Sequence, residues 1–403
     1  MKQKLLFFVF SAILFGCYSG SKKYSTENLY VIDISKNYPK KEIRLQHIAD
    51  IEYIPLETTD DALIGSSPAL SYVSDKYIVI RDVIPPHSIF VFNRNGKIIT
   101  HINHRGEGDK EYMSNHGVIF DEQKEEIFVR EGVTNKILVY SLTGEYKRTL
   151  KPSNDLTMGA LYNFDDSTML AYNDYGLEIY YRNDLSKEYN ERPYMLISKN
   201  DGSFVSFIDI RLQERYQNII PEIIDIGGGQ KMYTTLEINT PTNRRYGRDF
   251  VISDISSDTI YRFTQNRNLS PMLVRRPSVH SSEPRQVWTV LLTTDKFIVF
   301  QKVTLDFYAS QSGKEIPAKT YFLDFETNEI QEVSFIDENY TMRRWNPPGS
   351  FSPEIPKNMD ADLLWPPRLQ TAYEENQLKG DLAELFTTLD VEDNPIVRII
   401  KFR

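Results

Sequence analysis

Apolar residues recur along most of this chain in short runs at alternate positions, the pattern of β-strands with one or both faces packed. The clearest unit opens with the apolar strand Tyr77–Asp82. After a gap come Ser88–Phe92, a turn at Asn93–Lys97 and a third strand, Ile98–Ile102. The same order returns in Glu126–Arg130, Lys136–Tyr140, the turn Ser141–Glu145 and Tyr146–Leu150, so that Val91 recurs as Val139, 48 residues on. Asn-Gly and Thr-Gly between alternating runs are hairpin signals, because glycine supplies the positive φ of tight turns. A period in the forties with three or four strands per unit predicts the blades of a β-propeller.

Later units are looser. A third is read in Ser167–Tyr172, Pro193–Ile197 and the turn Asn200–Gly202. Lys231–Thr234, Asp249–Ile252 and Thr259–Phe263 form a fourth. Asp295–Phe300, Thr320–Asp324 and the turn Glu326–Asn328 form a fifth. The sixth has to be assembled from both ends, with Pro395–Phe402 beside Ile51–Leu56. That pairing closes a ring and removes open sheet edges. Ile396, Ile400 and Phe402 alternate with Val397 and Ile399, so both sides of the last strand are apolar and it should be buried. Glu374 to Leu389 predicts one helix, with Leu378, Leu382, Leu385, Phe386 and Leu389 on the face that packs against the ring. The expected fold is all-β: a six-bladed β-propeller closed by pairing N- and C-terminal strands, with one inserted helix near the C-terminus. Residues 29–403 form it as a single domain.

The start of the chain carries a different message. Lys2 and Lys4 precede an uncharged apolar run, Leu5–Phe15, followed by Gly16 and Cys17. This is the layout of a secretory signal, and the run is too short to span a bilayer, which takes about 20 residues. Leu14-Phe15-Gly16-Cys17 resembles the lipobox of bacterial lipoproteins. The resemblance implies that residues 1–16 are removed and that the Cys17 thiol carries a diacylglyceryl group. Cys17 is the chain's one cysteine, so it has no disulfide partner within the protein. Residues 17–28 read as a lipidated tether, polar and basic over Ser19–Tyr24. Several acyl chains together give stable anchoring.

The blade pattern, Ile54-Pro55-Leu56-Glu57-Thr58 and the loop Arg105–Tyr112 together resemble the six-bladed β-propeller lipoproteins of Bacteroidota, which are similar in turn to NHL-repeat propellers. The likeness runs from about Ile43 to Phe402 and is most specific in the first two blades. The family's loop has a Pro and a second Gly where this chain has Asp109 and Lys110. The resemblance implies a fold and an outer-membrane site facing the periplasm, and it carries no general activity.

Composition narrows the partners. The chain has 47 basic and 56 acidic side chains, net −9, and loses two more positive charges with Lys2 and Lys4. That excludes nucleic acid and broad contact with anionic lipid, both of which need a basic surface. The 25 Tyr and 22 Phe suit pleated sheets.

Candidate chemistry is sparse. His101 and His104, with Glu107 nearby, suggest a metal site, but they lie on a strand exit, where alternate residues diverge and the i, i+4 geometry of a helical zinc site is missing. Gly106 and Gly108 read as a tight crossing between blades. His87, His116 and His280 are scattered, Gly-x-Ser-x-Gly is absent, and Asp60-Asp61, Asp165-Asp166 and Asp121–Glu126 read as solvated turns. Gly227–Gly229 reads as a flexible turn, and Trp345–Phe351 and Leu364–Arg368 as loops covering one face. No catalytic residue, metal ligand or cofactor is assigned, and the ligand-binding residues stay unknown. The expected function is a membrane-anchored binding or interaction module with an unknown protein or glycan partner, its ligand at one end of the central channel. The alternatives are a lactonase- or lyase-like propeller with a metal in the channel, to which the inner-strand carboxylate Asp82 would contribute, or an envelope scaffold for glycan-related proteins.

Cys17→Ala is expected to abolish incorporation of radiolabelled fatty acid and to leave the protein outside the detergent phase. Labelling of that variant would place the lipid elsewhere.

Overall fold

The computed structural model describes residues 29–403 apart from 133, 176–183, 213, 217–218, 238–242, 282–283, 306–316, 342–343 and 346–353. The signal, Cys17 and the tether lie outside the described residues. The strands build a six-bladed propeller. Blade one is Pro68–Val73, Tyr77–Asp82, Ile89–Asn93 and Ile98–Ile102, from axis to rim. Blade two repeats this with Gly117–Asp121, Glu126–Arg130, Ile137–Ser141 and Tyr146–Leu150. Blade three runs from Met158–Asn163 to Phe204–Phe207, blade four from Asn243–Tyr246 to Leu269–Arg276, and blade five from Gln286–Thr293 to Ile330–Ile336.

Alternation explains how the blades stack. Along Tyr77–Asp82 and Ile89–Asn93, Val79 and Val91 enter the core shared with blade two, while Ile78, Ile80, Phe90 and Phe92 enter the core shared with blade six. Further apolar clusters fill the junctions of blades two with three, three with four, four with five and five with six. A strand that feeds two cores must be apolar on both faces, and these central strands are.

Blade six joins the two ends of the chain. Ile396–Phe402 lies between Met359–Leu364 and Ala49–Pro55, antiparallel to both, with Val397 opposite Ile54 and Ile399 opposite Glu52. Ile396, Val397, Ile399 and Ile400 are all fully buried. Arg398 is buried too, and its guanidinium pairs with Asp362 and Asp337, so blade six is clamped to the end of blade five. The N-terminal segment adds more than closure. Tyr30–Asp33 pairs in parallel with the rim strand of blade four, and Lys40–Arg44 with that of blade five. The chain thus crosses the rims of three successive blades before blade one begins, which its short polar strands gave no pattern to predict.

Two readings need correction. Lys231–Thr234 is not in blade four: it belongs to a separate hairpin, Ile219–Gly227 with Gln230–Glu237, turned at Gly228 and Gly229. The inner strand of blade four is Asn243–Tyr246, whose charged residues hide the apolar alternation. The helical insertion near the C-terminus is two helices, Pro366–Glu374 and Gly380–Phe386. Pro366 and Pro367, read as loop, start the first, where proline's missing N–H costs nothing. Asn376, at positive φ, lies between the two helices, and Gly380, also at positive φ, begins the second. Leu378 and Leu382 pack with Leu364, Leu369 and Ile396, so the predicted apolar face does rest on the propeller.

Ile399→Ala is expected to cost about 2–5 kcal/mol, read by urea unfolding. Removal of residues 395–403 is expected to abolish the cooperative transition. A truncated protein that melts like the intact one would place ring closure elsewhere.

Candidate functional site

The first strands of the blades line the axis, and their C-terminal ends converge on one mouth of the channel. There Tyr72 and Val73 come from blade one, Asp121 from blade two, Asn163 from blade three and Arg245 from blade four. Glu354, just before blade six, crosses the middle. Its N–H donates to Ser71 O and its carbonyl accepts from Val73 N–H, both at 2.9 Å. Its Oε1 accepts from Asn163 N–H at 2.7 Å, and Arg245 Nη1 donates to its Oε2 at 2.7 Å. One residue therefore ties blades one, three and four across the axis.

A second buried pair lies beside it. Lys199 Nζ, from the turn after the third strand of blade three, donates to Asp121 Oδ2 of blade two at 2.6 Å. Tyr72 Oη donates to Glu122 Oε2 at 2.9 Å. Above these groups opens a funnel of about 370 Å³, rimmed by Gln123, Asp165, Asp166, Arg248 and Gln265. Asp165 is spent on its own turn, accepting from Ser167 and Thr168 N–H, whereas Asp166 and Arg248 are exposed. Burial raises the Glu354 carboxyl although Arg245 opposes it, and burial followed by Glu122 raises the Tyr72 hydroxyl. Deeper in the protein, Arg244 faces Asp360 at 4.0 Å, both buried. Burial pushes Asp360 up to about 7, and among the described residues neither of its carboxylate oxygens accepts a hydrogen bond.

The histidines suggested by the sequence do not converge. His101 stacks on Phe90 and meets Ser88 Oγ at 3.0 Å. His104 stacks on Tyr140, its Nε2 2.8 Å from Gly144 O. Glu111, in the same loop, accepts from Gly108 N–H at 2.9 Å, which makes the glycine loop a structural crossing. Asp82 is not on an inner strand: it ends the second strand of blade one, accepts Gly65 N–H at 2.9 Å and is pushed up to about 6 by burial. Among the described residues no three His, Cys, Asp or Glu side chains are grouped to hold a metal. Trp345 is core, packed on Phe335 and Phe402, while 346–351 lie outside the described residues. Lys199, Arg245 and Glu354 were not found from sequence. The Arg244-Arg245 pair, charged within a strand, was the one signal of a channel-lining position.

The family model described as "Domain of unknown function (DUF4934)" matches residues 29–401. No curated protein matches the chain. Among solved structures it is similar to a protein from Bacteroides fragilis described as exported, at TM-score 0.59 and 15% identity over 93% of this chain and 99% of that one. It is also similar to a member of the DUF4221 family from Bacteroides vulgatus, at TM-score 0.45 and 11% identity over 88% and 97% of the two chains. A virginiamycin B lyase from Staphylococcus aureus aligns at TM-score 0.31 and 16% identity over 70% of this chain and 88% of that one, too distant to bear on mechanism.

The folded value of Asp360, about 7, lies above its ordinary 3.8. The native state therefore holds the extra proton between those values, and this stabilisation is fully present at low pH and lost as pH rises through 7. Asp82, raised to about 6, acts in the same direction. Melting temperature is expected to fall from pH 5 to pH 8 in the wild type, and less steeply in Asp360→Asn. Parallel slopes in the two proteins would refute this assignment.

Proposed function

Since this chain belongs to the DUF4934 family, a domain of unknown function, we propose a role from its own residues: a periplasm-facing lipoprotein, anchored through Cys17, whose propeller binds a small hydroxyl-rich ligand of the saccharide class at the funnel. The composition of the funnel carries this reading. Asp166 and Arg248 put an acceptor and a donor of opposite charge on one rim, with the Gln123 amide between these types. The charges below them are already matched, Lys199 with Asp121 and Arg245 with Glu354. A strongly charged ligand of either sign gains little from such a surface. A polyol, whose hydroxyls both donate and accept, can use both kinds of group. Tyr72 adds aromatic surface to the wall. The commitment of these side chains to one another also favours binding over catalysis, because among the described residues it leaves no nucleophile beside a base at the mouth.

Glycan-array screening of the mature protein, followed by titration calorimetry, tests this. Neutral oligosaccharides are expected to bind, and Asp166→Ala and Arg248→Ala to weaken them at least about tenfold, near 1.4 kcal/mol, with melting temperature unchanged. Binding that survives both changes, or a preference for amines or polyanions, would sink the proposal.

A further inference from the structure

The N-terminal segment enters the propeller from the funnel side. In blade four Tyr246, at the end of the inner strand, pairs with Asp249, Phe250 pairs with Phe263, and Phe263 with Leu269. Arg245, Gly247 and Arg248 line the funnel beside the first of these turns. The rim strand Leu269–Arg276 therefore starts at the funnel end and runs towards the opposite mouth. Tyr30–Asp33 lies parallel to it, with Tyr30 opposite Leu273 and Asp33 opposite Arg276. Parallel strands run in one direction, so the backbone that arrives at Tyr30 comes from the funnel end.

Side chains give the same placement. Tyr30 stacks on Phe325, with ring centroids 5.3 Å apart. Phe325 N–H donates to Lys296 O at 2.8 Å, and Tyr246 Oη donates to the neighbouring Asp295 at 2.7 Å. A short series of contacts thus leads from Tyr30 to the funnel wall. The entry point is also firmly held. Ile32 and Ile34 are each 1% exposed, in the core between blades four and five, and Lys302 Nζ donates to Ile34 O at 2.9 Å.

Twelve peptide links join Cys17 to Leu29. Fully extended, they reach about 40 Å. To turn the opposite mouth to the membrane, the chain would have to reverse before Tyr30 and double back along the rim. The net charge of −9 gives anionic lipid no broad hold on the body, so the covalent tether sets the approach.

Taking Cys17 as the lipid anchor and the funnel as a saccharide site, as proposed above, we infer that the anchor holds the funnel mouth towards the membrane, and that the saccharide it takes is the headgroup of a lipid in the same leaflet. An open polar funnel of about 370 Å³ offers few apolar contacts, and so little affinity by itself. A headgroup in the leaflet that carries the protein makes up the difference, because co-tethering raises its effective concentration to the order of millimolar.

Fluorescence quenching tests the orientation. Asp75 is exposed in the first turn of blade one, at the funnel end, and Asp109 is exposed in the loop from the end of blade one's rim strand to the start of blade two, at the opposite end. Lipidated protein labelled at Asp75→Cys or at Asp109→Cys is reconstituted in phosphatidylcholine–phosphatidylethanolamine vesicles that carry a headgroup nitroxide. The thiol of Cys17 is engaged by lipid and takes no label. The label at Asp75→Cys is expected to be quenched more strongly. Equal quenching, or stronger quenching at Asp109→Cys, would overturn the orientation and leave the anchor standing. No quenching at either position, as expected when Cys17→Ala is added, would overturn the anchor and the orientation together. In a second arm the tightest neutral oligosaccharide from the array is offered free, or conjugated to dioleoylglycerol in the same vesicles. The conjugate is expected to bind at least about tenfold more tightly, and Cys17→Ala to remove that advantage. Equal binding of the two forms would overturn the membrane-borne ligand. An array without a binder would overturn the saccharide reading, and with it the headgroup, while the labels still decide the orientation.

Discussion

Everything in this protein depends on blades that are apolar on both faces. In a sheet with one wet face, half of each strand is free to be polar. Here alternate residues of the same strand enter two different cores, as Val79 and Ile80 do, and the cores succeed one another around the axis. Such a stack has no natural end: whichever blade is last presents an apolar face to water. Bringing the two ends of the chain together in blade six removes that face, which is why Ile396–Phe402 is among the most deeply buried strands although it is the end of the chain. The rim strands Tyr30–Asp33 and Lys40–Arg44 extend the same logic outward, pairing the edges of blades four and five on the way to closure.

Closure determines what the axis contains. First strands meet there from every direction, so their polar side chains are driven close together in a space with little water. The structure answers with buried pairs that join blades rather than neighbours in sequence: Lys199 with Asp121, Arg245 with Glu354, and Arg398 with Asp337, Arg398 being held also by Asp362 of its own blade. Removing one partner of such a pair leaves an unmatched buried charge, which is far costlier than losing the pair itself. Glu354 crosses the channel at one mouth, and at the other Arg81 and Arg130 bond to the carbonyls of Asn115 and His116.

The sequence determined the blade. Period, hairpin turns and two-sided apolar strands were legible because they follow from local geometry: side chains alternate along a strand, and glycine tolerates a tight turn. The last strand was legible for the same reason, since apolar residues on both its sides had to be covered. His101 and His104, three residues apart, stack on different rings, Phe90 and Tyr140.

Tertiary structure decided what lies at the ends of strands. Asn243–Tyr246 carries charge because the channel supplies partners for it, and Lys231–Thr234 was mistaken for it because a hairpin needs the same alternation as a blade. Glu354 stands among prolines with no pattern around it, yet it bonds to residues 71, 73, 163 and 245. A periodic signal reports the contacts a strand makes with its own sheet. Convergence on an axis brings together residues separated by 100 positions or more, such as Arg245 and Glu354 at 109, and no local pattern records which of them will meet.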